Sequence, residues 1–222
     1  MHKDKILNVE MLFKDTSMSK GLFITFEGCD GSGKTTQASK LASYLRSKGY
    51  LVTQLREPGG TGVGENLRTI LLNAALTPMT ELLLFLAARQ AMYDEIIKPA
   101  LEAGRIVICD RYIDSTYAYQ GEAKGLKDEV LVLERIIADG KMPDYTFYLN
   151  IDLSEAMRRL EARMDYNDNK FDVASEDFKI KVHKGFIERS RKYKHRILTI
   201  DGTGSVDEVA QRIQSHLNNL LT

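Results

Sequence analysis

Short runs of apolar and β-branched residues recur at 22–26, 51–55, 106–109, 146–151 and 197–200. Between them, apolar positions repeat at helical spacing. The run at 106–109, Ile-Val-Ile-Cys, is apolar throughout, as in a strand covered on both faces. Ala38, Leu41, Ala42 and Leu45 share one face of a helix, and Gly49 stands where a C-terminal cap belongs. The pattern predicts a long helix over 79–101, ended or kinked at Pro99, and another over 127–139, closed by Gly140. A helix over 154–163 is followed by a polar stretch, 164–177, and then by a helix over 178–193. The polar stretch is charged and lacks apolar periodicity, so a mobile lid is expected over about 163–177. Strands and helices alternate throughout. This predicts an α/β fold with a five-stranded, mainly parallel sheet and helices on both faces.

Composition narrows the classes. A length of 222 residues suits one domain, with 43% hydrophobic and 28% charged residues excluding disorder as a whole-chain description. The fold is expected over 21–222. Residues 1–20 are expected to be a poorly ordered extension, or to precede a start at Met11 or Met18. They show no signal-peptide pattern, and no run approaches the ~18 apolar residues of a membrane span. With 31 basic and 31 acidic side chains, the chain is not built to coat nucleic acid or an anionic membrane. Cys29 and Cys109 have no metal-ligand spacing, which points to a reducing, cytoplasmic setting. The four histidines form no zinc-hydrolase array.

Chemistry enters at residues 28–35, Gly-Cys-Asp-Gly-Ser-Gly-Lys-Thr, which match G-x-x-x-x-G-K-[ST] between a predicted strand and a predicted helix. The composition supplies about 0.01 such matches by chance, before that context is required. In such a loop the glycines let backbone N–H groups and the helix N-terminus cradle phosphate oxygens. Lys34 would neutralise the β- and γ-phosphates of ATP, and the Thr35 hydroxyl would hold Mg²⁺. Asp110, closing the third strand beside the loop, can orient Mg²⁺ through water, and Arg111 offers a fork to a second anion.

Phe85 and Arg89 lie one turn apart on the long helix, a base-stacking ring beside a guanidinium, although Phe85 alone would read as core. Arg158, Arg159, Arg163 and Lys170 gather before and within the expected lid. Mobile cations there could stabilise a transferring phosphoryl group, whereas pairing with Glu155 or Glu161 would make them ordinary surface charges. Residues 169–172, Asn-Lys-Phe-Asp, fit the N-K-x-D guanine-reading pattern of a GTP-dependent switch, but Met164–Asp168 before them cannot form the core strand that pattern needs.

Several segments together resemble bacterial thymidylate kinases: GLFITFEGCDGSGKTTQ from Gly21, Arg56-Glu57-Pro58-Gly59-Gly60-Thr61, LLFLAAR ending at Arg89, and DRYIDSTYAYQG from Asp110. The resemblance runs from about Lys20 to the C-terminus. It implies a P-loop nucleoside-monophosphate-kinase fold, phosphoryl transfer from ATP to dTMP with Mg²⁺, and a homodimer. The loop Gly28, Cys29, Asp30, Gly31, Ser32, Gly33, Lys34, Thr35 and Thr36 would hold ATP, with Thr35 and Asp110 at the metal. Asp30 would sit between the sugar and the metal region, and Arg111 would bind the acceptor phosphate. Phe85 would stack on thymine, Arg89 would reach its O4, and Thr116 and Gln120 would face the remaining base edge, with Ser115 in the same substrate-binding segment. Tyr119 would crowd a 2′-hydroxyl. Glu57-Pro58, a candidate cis bond, would shape the loop beneath the substrate, and Arg163 would be the lid arginine. Lys34, Arg111, Arg163 and Asp30 are thus the expected catalytic set.

One departure is visible: many relatives carry D-R-[IF]-E in the lid where this chain has residues 169–172, so Lys170 supplies a point charge without a fork. A phosphate acceptor with a second pKa of about 6 needs no base to strip a proton, which suits a set of cations without histidine. A nucleoside acceptor would instead need Glu57 or Asp30 as a base. The long helix is the expected dimer face, and the turn at 200–204 is expected to flank adenine. Cys29 and Cys109 read most simply as small apolar fillers, although oxidation of Cys29 could block ATP.

Overall fold

A computed structural model of the chain describes residues 21–136, 142–162 and 174–220. Five strands form one sheet in the order β2-β3-β1-β4-β5: β1 Leu22–Glu27, β2 Val52–Arg56, β3 Ile106–Asp110, β4 Tyr145–Asn150 and β5 Ile197–Asp201. Every pairing is parallel, so the expected mainly parallel sheet is wholly so. β1 and β3 lie at its centre, which is why their runs are apolar on both faces.

On one face, α1 (Lys34–Ser47) and α9 (Val206–Leu220) bury Ala38, Leu41, Leu45, Val209 and Ile213 against Ile24, Phe26 and Ile108. On the other, α3 (Pro78–Met92), α4 (Lys98–Glu102) and α6 (Lys127–Ile136) pack on Phe23, Val107 and Cys109. α8 (Glu176–Lys192) covers Tyr148 and Ile197 with Val182 and Phe186. α2 (Gly62–Asn73), α5 (Ile113–Thr116) and α7 (Leu153–Glu161) flank the carboxyl ends of the strands. The chain leaves β1 for α1 on one face and leaves the adjacent β3 for α5 on the other. A crevice therefore opens between their carboxyl ends, the switch point where α/β sheets bind ligands.

Three predicted boundaries move. The helix expected over 79–101 runs as α3, a π-helical turn at Tyr93–Ile97 and α4. Pro99 sits in the first turn of α4, where a proline's missing N–H is tolerated. α8 begins at Glu176, because the Ser175 side chain caps it by accepting from Phe178 N at 3.2 Å. Residues 175–177 therefore form the capped start of α8, at the end of the stretch read as a lid. α7 ends at Glu161. Residues 163–173, and with them Arg163, Lys170 and the N-K-x-D match, lie outside the described residues, as do 1–20 and Gly140.

Candidate active site

β1 runs into a turn that opens α1. Gly28, Gly31 and Gly33 hold φ of 143°, 82° and 93°. A Cβ on Gly31 would strike the Ala156 carbonyl, so the loop can lie against α7 only as glycine. Gly33 caps α1 in a left-handed conformation without a side-chain bond, so the first-turn N–H groups are left to an anion. Lys34 is buried and donates from Nζ to the Cys29 carbonyl at 2.7 Å, folded over the loop. Burial first, and Arg111 second, lower its pKa. Ser32 Oγ is buried with no hydrogen-bond partner among the described residues.

Thr35 Oγ1 donates to Asp110 Oδ2 at 2.5 Å, joining the first turn of α1 to the end of β3. Asp110 Oδ1 is buried and has no partner among the described residues. A hydroxyl and a carboxylate brought together beside the phosphate loop are the hard oxygen donors that suit Mg²⁺.

Next to the loop lies a cavity of about 160 Å³. Phe85 and Leu72 supply apolar wall, while Arg89, Glu57 and Pro58 line it from α3 and the loop after β2. The Glu57-Pro58 peptide is cis. Arg111 and Ser115 enter from the end of β3, as do Thr116, Tyr119 and Gln120, which share a face across α5 and the π-helical turn Tyr117–Glu122. Asp30 closes the side toward the phosphate loop. The structure thus gathers every expected acceptor-side residue around one cavity, and Phe85 is wall there rather than core. It adds Arg68 and Leu72 from α2, one turn apart, which the sequence pattern does not single out although Phe85 and Arg89 show the same spacing.

Arg89 is buried, and its Nε and Nη2 hold the Glu57 carboxylate at 2.9 and 2.5 Å, with the guanidinium over the Tyr112 ring. Burial pushes the Glu57 pKa up and Arg89 counters it, while Glu57 in turn keeps Arg89 charged. Arg89 Nη1 is buried without a partner among the described residues. Gln120 donates to Glu81 at 2.9 Å, which fixes its amide.

Arg111 pairs with Asp30, and Tyr119 donates to Asp30 Oδ2 at 2.7 Å. Burial alone would raise the Asp30 pKa, but Arg111 and then Lys34 outweigh it and hold the carboxylate well below its usual range. Burial raises the Tyr119 pKa well above the ordinary phenol value, so the ring stays a neutral donor. Arg111 is, among the described residues, the one non-glycine with a left-handed φ, 72°, a conformation that costs about 1–3 kcal/mol unless the surroundings impose it. Here they do: Arg111 N donates to the Phe26 carbonyl at 3.0 Å and Tyr112 N to Glu27 Oε1 at 2.8 Å.

Other expectations change. Arg158 and Arg159 both pair with Glu155, at 2.8 and 2.6 Å, and Arg159 also ties the Gly202 carbonyl, so both are structural surface charges here. Cys29 is buried and its thiol lies 3.6 Å from His183 Nδ1. Burial pushes its pKa to about 11, which keeps it an unreactive thiol, in keeping with a small apolar filler and against oxidation at this position. Among the described residues, no helix is long and apolar enough to cross a membrane.

A family model described as thymidylate kinase matches residues 26–213. A thymidylate kinase of Geobacillus sp. (strain WCH70) is 44% identical over 194 residues, covering 86% of this chain and 92% of that relative. One of Pelobacter propionicus is 41% identical over 212 residues, covering 90% and 97%. The crystal structure of thymidylate kinase from Ehrlichia chaffeensis superposes with a TM-score of 0.73 at 37% identity, covering 89% of this chain and 98% of that one. With this crevice, loop and cavity, the chain belongs to the thymidylate kinase family.

Proposed function

We propose that the protein transfers the γ-phosphoryl group of ATP to dTMP, giving ADP and the dTDP from which dTTP for DNA synthesis is made. The observation that carries this reading is the acceptor cavity, with Arg111, Arg68 and Asp30 at the edge facing the phosphate loop. A planar pyrimidine fits between Phe85 and the Arg89 end, where the spare Arg89 Nη1 is a ready donor to a base carbonyl. Thr116 and Gln120 border the base, and Tyr119 with Asp30 borders the sugar.

Residues Gly28 to Thr36 would receive the ATP phosphates on backbone N–H groups. Lys34, now on the Cys29 carbonyl, would exchange that neutral acceptor for the β- and γ-phosphates. Arg111 and Arg68 would hold the acceptor phosphate, which is mostly dianionic near neutral pH and needs no base. Asp30 then orients Arg111 and Tyr119 rather than removing a proton. Catalysis on this reading is in-line placement of two polyanions in a water-excluded site. Thr35 and Asp110 would hold Mg²⁺, which supplies charge neutralisation on the transferring phosphates. Arg163 would be a lid cation closing over ATP.

ADP release from ATP is the test, measured with dTMP, dUMP, dCMP, dGMP, thymidine and no acceptor. Release highest with dTMP is expected. Release highest with thymidine or with no acceptor would overturn the reading.

The protein would act in the cytoplasm as a homodimer, residues 21–222 forming one kinase domain. α3 turns Leu82, Leu86 and Met92 into the core, so its apolar length is explained by burial. What α2 and α3 leave exposed are Val63, Ile70, Met79 and Leu83, the surface offered to a second copy. A monomeric mass at micromolar concentration would refute the dimer.

A further inference from the structure

We propose that Glu27, outside the cavity, is a positioning residue that sets Arg111 for the acceptor phosphate through Ser115 and the backbone of the turn after β3. This rests on the dTMP-kinase reading above and deepens it. Glu27 closes β1, directly before the phosphate loop, and is 1% exposed. Its Oε1 accepts from Tyr112 N at 2.8 Å and Ser115 N at 3.1 Å, and its Oε2 accepts from Ser115 Oγ at 2.5 Å. The Ser115 hydroxyl proton is thereby committed, and its oxygen lone pairs turn to Arg111 Nη1 at 2.9 Å. The same nitrogen reaches the Gly28 carbonyl at 3.3 Å, and Nη2 faces Asp30.

One carboxylate therefore holds Arg111 in two ways. It ties the amide that follows the left-handed residue, which keeps φ at 72°. It also polarises the hydroxyl that receives the guanidinium. Both restraints aim the side chain at the cavity rather than along the sheet edge. The charged groups around Glu27 are Arg111, Arg89 and the carboxylate of Asp114. Burial first, then Asp114, raise the Glu27 pKa to about 7, whereas the Ser115, Arg111 and Tyr112 contacts oppose that rise. The contacts that favour its ionised form are thus those to the groups it positions.

Glu27→Gln is the discriminating variant. Its amide oxygen can still accept from the two backbone N–H groups, but its NH₂ donates toward Ser115 Oγ instead of accepting from it. The KM for dTMP should rise about tenfold while the KM for ATP stays within about twofold, as for loss of one charge-assisted bond on the acceptor side. Ser115→Ala should raise the dTMP KM similarly, and the double variant should add little beyond either single change, because both act through one chain of contacts. A dTMP KM unchanged in Glu27→Gln, or both KM values rising together, overturns the proposal. If Glu27→Gln does not fold, Ser115→Ala decides alone, and an unchanged dTMP KM there overturns it. A wild-type enzyme without dTMP-dependent ADP release overturns the functional reading as well. A dTMP-dependent wild type with an unaltered Glu27→Gln overturns only the positioning role.

Discussion

Glu57 and Arg89 form a buried ion pair joining the loop after β2 to α3, with two guanidinium nitrogens on one carboxylate and the third buried without a partner among the described residues. Removing one partner strands the other's charge in an apolar setting. Glu57→Ala should therefore lower unfolding stability by about 3–5 kcal/mol, and Arg89→Met by a similar amount. Because either change ruins the same pair, the double variant should be less destabilised than the sum. Urea denaturation of the four proteins reads this directly. A loss under about 1 kcal/mol in Glu57→Ala would mean that water reaches the pair and the burial argument is wrong.

Lys34 donates to the Cys29 carbonyl and stands 3.9 Å from Asp30, contacts confined to its own loop, so little of the fold beyond that loop depends on it. Lys34→Ala should leave thermal stability near that of the wild type and lower kcat by about 10²–10³, the scale for losing one preorganised charge in a closed site. Steady-state ADP release with both substrates varied makes the check. A KM effect with unchanged kcat would confine Lys34 to ground-state binding.

Thr35 and Asp110 are joined by a hydrogen bond across the proposed metal region. Asp110→Asn removes a charge at that point without removing its shape. The Mg²⁺ concentration needed for half-maximal activity should rise by about tenfold or more, as expected when a neutral amide replaces a carboxylate beside a hard cation, while the dTMP KM barely moves. Titrating activity with Mg²⁺ at fixed ATP tests the assignment. An unaltered Mg²⁺ dependence would remove Asp110 from the metal region.

How far these features are readable without coordinates depends on whether their partners are close in the chain. The phosphate loop is contiguous, and the strand at 106–109 carries its double burial in four apolar residues, so both are legible. Phe85 and Arg89 were found as a pair because a helix puts them one turn apart. Arg68 obeys the same rule, but Leu72 beside it looks like ordinary core, and only the cavity shows what the pair faces. Glu27 is harder still. Its partners lie 85 and 88 residues away, and an acid ending a buried strand gives no local sign of them. The π-helical turns at Tyr93–Ile97 and Tyr117–Glu122 also leave no trace in a 3.6-residue pattern, since one extra residue per turn only slips the register. The start of α8 is legible in the sequence: Ser175 followed by Glu176 and Asp177 is a capping residue with acids in the first turn.

Asp114, beneath the acceptor segment, predicts acid sensitivity with a definite sign. It accepts from Arg189 Nε at 2.7 Å and from both Arg196 terminal nitrogens at 2.8 Å, all three residues being buried. Burial raises its pKa, but Arg189 and Arg196 outweigh burial and bring it from 3.8 to about 2. A folded pKa below the unfolded one means that the stabilisation is complete above about pH 4 and is lost as pH falls through 2. The difference is worth about 2 kcal/mol. Asp114→Asn should be less stable than the wild type at pH 7, by about 3 kcal/mol, since buried Arg196 loses its carboxylate while Arg189 keeps Glu134 at 2.7 Å. Its deficit should then shrink between pH 4 and 2, since only the wild type has this contribution to lose. Removing Asp114 also relieves Glu27, but that group's raised pKa places its effect between about 4.5 and 7, outside the acid window. Unfolding free energies of the two proteins across pH 2–7 separate these contributions. Curves that run parallel below pH 4 would show that Asp114 is not the group that titrates there.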